Sequence, residues 1–330
     1  MSTAGLLYGS RSISRQRRTS AAMDDLRGAI FLVLKAENPM TVRQAYYQLV
    51  SRGAIDKTEA EYKSVIRLLT EMRRSHNIPF AWIADSTRWM RKPRTYDSME
   101  QMLSISQQTY RRSIWNDQDA YVEIWLEKDA LAGVLLSETA EWDVPLMVTR
   151  GYPSISYLHN AAEAISVQGK PAFIYYFGDW DPSGRDITRA TEAGLREFAQ
   201  GASIEFQRVA VTEYQIATLN LPTRPTKMTD SRSKEFSGES VEVDAIPPAT
   251  LREIVRSCIE AHVDRNELEA TQLIEGAERE SLAQYAAGFS RARDSSTVGD
   301  RQLWSFDDYT QNLKAITEEC RLRYKRRPKR

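Results

Sequence analysis

Cysteine and histidine are scarce in this sequence, and long apolar runs are absent from it. The 330 residues include two cysteines and three histidines. Cys258 and Cys320 stand far apart, too few and too distant for a disulfide framework or a cysteine-based zinc site. No apolar stretch approaches the ~18 residues that a bilayer span requires. The opening MSTAGLLYGSRSISRQRRTS lacks the apolar core and cleavage site of a secretory leader. A cytoplasmic protein with no membrane contact is expected. Net charge is missing too, because 45 Lys and Arg balance 45 Asp and Glu.

That balance hides an uneven distribution. Residues 1–113 carry 19 Lys and Arg against 10 Asp and Glu, residues 114–320 carry 19 against 35, and residues 321–330 add seven basic residues and no acid. A basic front, an acidic middle and a basic tail suit a chain whose ends touch phosphate and whose centre collects cations.

The length predicts two domains. Residues 1–22, rich in Ser and Arg without periodicity, are expected to form a disordered basic arm. Helical patterning begins with DDLRGAIFLVLKAE. TVRQAYYQLVSRG follows, with Thr41 as N-cap and Gly53 as stop. A third helix starts near Thr58 and puts Tyr62, Val65, Ile66, Leu69 and Met72 on one face, with Lys63, Arg67, Arg73 and Arg74 off it. IPFAWIADSTRW reads as an extended hairpin. Three helices and a β wing describe a winged-helix module over residues 23–95, with an ordinary helical bundle as the alternative.

After a polar connector at 96–118, strand and helix alternate. AYVEIWL, VPLMVT, PAFIYYFG and SIEFQRVAV are each followed by a helical pattern, which predicts a mainly parallel, Rossmann-like sheet within residues 119–320. Residues 220–247 read as irregular and the C-terminal third as helical. A basic tail occupies 321–330.

The apolar run of IYYFGDWDPSG stops at Gly178 and delivers Asp179 and Asp181 into a turn. Open α/β sheets place their chemistry at such strand ends. An EF-hand is excluded, because its twelfth position would be Ala190 and a strand precedes it. In a purely structural role, one Asp would cap the following helix. Glu127 holds the equivalent place after VEIWL. If the two strands are sheet neighbours, Glu127, Asp179 and Asp181 converge, and three carboxylates packed together call for a hard cation such as Mg²⁺.

This constellation resembles the Toprim domain shared by topoisomerases, primases and some nucleases. LEKDA is similar to the Glu-Lys form of topoisomerase VI A subunits and meiotic double-strand-break proteins, TRGYPS to their glycine turn, and GDWDPSG to their D-x-D-P-x-G. In that family a winged helix carries the nucleophilic tyrosine in a motif like T-x-R-D-x-Y-Y, and TVRQAYY stands here with Gln44 in place of the acid. At ~100° per residue, Val42, Tyr46, Leu49 and Val50 share one face, so Tyr46 is expected in the core. Tyr47 lies near Arg43 on a polar flank, where a guanidinium would favour phenolate character.

The resemblance covers roughly residues 23–250 and is nearest to compact bacterial or mobile-element forms. It implies a Mg²⁺-dependent DNA-cleaving transesterase in which Tyr47 becomes joined to a 5′ DNA end. Arg43 would steady the phosphate, and Glu127, Asp179 and Asp181 would hold the metal. Lys63, Arg67, Arg73, Arg74 and Lys128 would contact double-stranded DNA. A homodimer, a nucleoid-associated location and a possible separate ATPase subunit follow from the same resemblance. The alternatives are a Toprim endonuclease that uses water, as in plasmid defence, and a winged-helix DNA-binding protein with an inert second domain.

Overall fold

The structure, a computed structural model, describes residues 18–84, 93–225, 236, 239–294 and 318. It begins with three helices, α1 (Ser20–Glu37), α2 (Val42–Ser51) and α3 (Glu59–Arg74). Each is entered through a threonine: the side chains of Thr19, Thr41 and Thr58 accept the backbone N–H of Ala22, Gln44 and Glu61. At α2 the cap is reciprocal, since Gln44 Oε1 accepts the Thr41 N–H at 3.0 Å. Gln44 thus braces the helix that carries the tyrosines.

Three expectations change in this front region. The Thr19 cap starts α1 inside the expected arm, whose residues 1–17 lie outside the described residues, as does the tail at 321–330. The buried stripe of α3 contains Leu68, whereas Ile66 is exposed. In the described part of the expected hairpin, Phe80–Trp82 forms a 3₁₀ turn rather than an extended arm, after which Ile83 pairs in parallel with Met40. Residues 85–92 lie outside the described residues.

The expected connector contains a helix, α4 (Met99–Thr109), capped by Ser98. Then come β1 (Tyr121–Leu126), α5 (Ala132–Glu141), β2 (Leu146–Val148), α6 (Ile155–Gln168), β3 (Ala172–Phe177), α7 (Pro182–Phe198), β4 (Ile204–Ala210), α8 (Glu213–Thr218), α9 (Pro248–Glu260) and α10 (Arg265–Asp294). α4 packs on α10, and this contact relies on polar groups. Tyr110, just after α4, donates to Glu278 at 2.6 Å, and Arg112 does so at 2.9 Å.

The four strands run parallel in the order β2-β1-β3-β4. Alternate residues go to opposite faces. Val122, Ile124, Leu126, Tyr175 and Phe177 join a core that includes α5, α9 and the front helices. Trp125, Ile174 and Tyr176 pack on the other face with Leu158 and Ile165 of α6 and Ile187 and Leu195 of α7. The result is an α/β fold with a parallel sheet flanked by helices. No helix among the described residues is long and apolar enough to cross a membrane.

Candidate active site

β1 and β3 pair through to Leu126↔Phe177, so the residues that follow them emerge side by side. Glu127 Oε2 accepts the backbone N–H of Asp179 at 3.1 Å. Gly178 permits this approach, because a Cβ there would stand 2.5 Å from Glu127 Oε2 and 2.7 Å from the Tyr176 ring. Burial, reinforced by the Asp179 charge, pushes the Glu127 carboxyl up to about 7. Burial also holds Asp179 above the ordinary carboxylate range, against the pull of Lys128.

Asp181 does other work. It is the N-cap of α7, with Oδ1 accepting the Gly184 N–H at 2.8 Å, while Oδ2 accepts from Arg224 at 3.3 Å. The expected convergence of three acids is therefore a meeting of two, because a helix cap and a guanidinium hold the third. Among the described residues, no three His, Cys, Asp or Glu side chains are grouped to hold a metal.

Lys128 supplies the positive charge at this sheet end. Its ammonium lies 2.7 Å from Asp244 Oδ2, 3.0 Å from Asp179 Oδ1 and 3.1 Å from Glu242 Oε2. Burial works against the charged ammonium, but Asp244, Asp179 and Glu242 together outweigh it and keep the lysine protonated. The residue expected to face DNA is thus committed to three carboxylates within the chain. Glu242 carries the network to the front helices: Arg43 Nε is 2.6 Å from its Oε2, and Arg43 Nη2 donates to Oε1 at 2.7 Å. Although burial disfavours its charge, Lys128 and Arg43 hold Glu242 below the ordinary carboxylate range.

Tyr47 lies close enough to Arg43 for the guanidinium charge to favour its phenolate, and the Lys57 ammonium sits 5.4 Å from its ring centroid. The flank is not open, however, since Tyr47 is only 3% exposed. Burial, followed by the Glu242 charge, pushes its phenol up to about 12 despite Arg43. The expected activation by the guanidinium is therefore outweighed in this conformation. Tyr46 is buried as expected and donates to the Thr58 carbonyl at 3.3 Å.

No protein-family model matches this chain, and no curated protein does.

A cavity of about 600 Å³ opens between the front helices and the end of β1, lined in part by Arg43, Tyr62, Arg73, Glu127, Lys128 and Arg150. Arg150 has a φ of +56° and pairs with Asp129 at 2.9 Å, next to Gly151 at +87°. The remaining expected DNA contacts lie on α3. Lys63 and Arg67 make exposed pairs with Glu59 at 3.7 Å and Glu71 at 3.9 Å, Arg73 reaches the cavity, and Arg74 is exposed in the last turn.

Sequence reasoning missed four participants: Glu242, Asp244, Arg224 and Arg208. The first two alternate with Val241, Val243 and Ala245, a period-two pattern inside a stretch read as irregular. Arg208 on β4 clamps the acid-bearing turn, donating to the Gly178 carbonyl at 2.7 Å, to that of Gly184 at 3.2 Å, and to that of Asp179. Nothing in its local sequence marks it.

Proposed function

We propose that this protein is a Mg²⁺-dependent DNA-cleaving transesterase of the topoisomerase VI A type, with α1–α3 as a winged-helix module and the sheet as a Toprim-like domain. The observation that carries this reading is the meeting of Glu127 and Asp179 at the ends of adjacent parallel strands, linked through Lys128 and Glu242 to Arg43 and so to Tyr47. Glu127 and Asp179 would hold the cation, since Mg²⁺ is commonly bound by one or two carboxylates with phosphate oxygens and water completing its shell. Asp181 could join only on releasing Arg224. When bound, Mg²⁺ stabilises charge on the departing oxygen.

In the proposed reaction the Tyr47 oxygen bonds to phosphorus as the bond from phosphorus to the 3′ oxygen breaks. The phenol proton passes to solvent, the 3′ oxygen takes one up, and the 5′ phosphate stays on the tyrosine. Arg43 would neutralise the phosphate under attack. A homodimer belongs to this reading, and so does the possibility of a separate ATPase subunit.

Incubating duplex DNA with protein and Mg²⁺, then denaturing, should leave protein on 5′ ends. Tyr47→Phe should abolish cleavage and adduct together, whereas Tyr46→Phe should retain both. A second reading, an endonuclease that uses water, is favoured by the burial of Tyr47 and the rise of its phenol to about 12. It predicts no adduct, and cleavage that survives Tyr47→Phe but is lost in Glu127→Ala. Absence of any Mg²⁺-dependent cleavage would overturn both readings and leave a DNA-binding role.

A further inference from the structure

One carboxylate in this chain carries three cations. Glu242 accepts from Arg43 Nη2 at 2.7 Å, Arg224 Nη1 at 3.0 Å and Lys128 Nζ at 3.1 Å, with Arg43 Nε 2.6 Å from its Oε2. Two guanidinium groups and an ammonium around one pair of oxygens form the donor set that phosphate recognition uses, with a fork contact from arginine and a point charge from lysine. The carboxylate itself is enclosed, at 5% exposure. The cations are not: the side chains of Arg43, Arg224 and Lys128 are 43%, 33% and 23% exposed. Arg43 and Lys128 also line the 600 Å³ cavity, which gives an anion a route to them.

We propose that Arg43, Lys128 and Arg224 form a binding site for a backbone phosphate of DNA, and that the Glu242 carboxylate occupies this site when DNA is absent. The proposal rests on the reading of the chain as acting on DNA, but not on Tyr47 being the nucleophile. Glu242 is tethered to the chain, so it competes at a high effective concentration and holds phosphate affinity down. Its displacement would reach the acids as well, since the N–H of the next residue, Val243, donates to Asp179 Oδ1 at 2.9 Å. A phosphate arriving on Arg43 would thereby take over the counter-charge of the tyrosine's neighbour and loosen the segment that holds Asp179.

The test uses the full chain without Mg²⁺, so that no cleavage is read and failure of the adduct experiment leaves it intact. Glu242→Gln keeps the shape of the side chain and removes its charge. Thermal unfolding in inorganic phosphate, against chloride at equal ionic strength, should show a phosphate-dependent rise in Tm for the variant that the parent lacks. Fluorescence anisotropy with a labelled duplex should show DNA binding tightened about tenfold, the order expected when an intramolecular competitor is removed. Adding Arg43→Gln to Glu242→Gln should erase both gains. If Glu242→Gln does not fold in chloride, refolding in phosphate should recover it, because phosphate supplies the missing charge. Failure to recover there overturns the proposal, as does a folded variant with no gain in either assay, or gains that persist without Arg43. A gain for inorganic phosphate with none for the duplex overturns the assignment to the DNA backbone.

Discussion

Gly184→Ala sets two physical effects against each other at the acid-bearing turn. Gly184 lies in the first turn of α7, where helix propensity alone favours alanine over glycine by about 0.8–1.0 kcal/mol. Sterics oppose it. A Cβ at this position would stand 3.0 Å from the Asp179 carbonyl carbon and 2.2 Å from its oxygen, the latter more than 1 Å inside the 3.4–4 Å of ordinary contact. The obstacle is backbone, so no side-chain rotation relieves it. Overpacking of this kind costs about 1–3 kcal/mol. The same carbonyl accepts from Arg208, as does the Gly184 carbonyl at 3.2 Å. Distorting hydrogen bonds of this charged type adds about 1–2 kcal/mol. After the propensity gain is subtracted, a net loss of about 1–4 kcal/mol is expected. Urea denaturation of the metal-free protein should show a lower midpoint at unchanged slope. A midpoint equal to or above that of the parent would mean that the turn yields without cost, and the reasoning from close approach would fail. Mg²⁺ binding by calorimetry should weaken in parallel, because the displaced backbone belongs to Asp179.

Two further substitutions probe the charges. Glu127 has a folded-state pKa of about 7, above its ordinary 4.5, so the stability it contributes is present below pH 4.5 and lost as pH rises through 7. Glu127→Gln removes this loss, and in chelator the variant should gain on the parent by about 1–3 kcal/mol between pH 5 and pH 8; an equal difference at both pH values would refute the assignment. Lys128→Met leaves Asp179, Glu242 and Asp244 without their shared ammonium and should cost about 3–5 kcal/mol in denaturant unfolding. A loss no larger than that of Lys63→Met, whose pair with Glu59 is exposed at 3.7 Å, would show that the buried cluster is not held by its lysine.

The alternation of strands and helices was legible in the chain because each element carries its own signal. Thr41, Thr58 and Ser154 cap helices, and apolar runs such as AFIYYF fill strands buried on both faces. That Glu127 and Asp179 end strands could also be read directly. Whether they meet depended on the order β2-β1-β3-β4, which no local pattern encodes. α2 shows a different limit. Periodicity reports burial on one side, but α2 is covered by α1, α3 and the Val243–Ala245 turn, so Gln44, Tyr47 and Gln48 are buried along with Tyr46 and Leu49. α4 escaped notice because it has no fully buried residue and its surroundings hold it by polar contacts. The ion pairs of Lys128, Arg224 and Glu242 were beyond sequence reasoning for an electrostatic reason. Their partners are distant in the chain, with Arg43 and Glu242 separated by 199 positions, and a charge acquires its role only when folding brings its counter-ion within a few ångströms and removes the water between them.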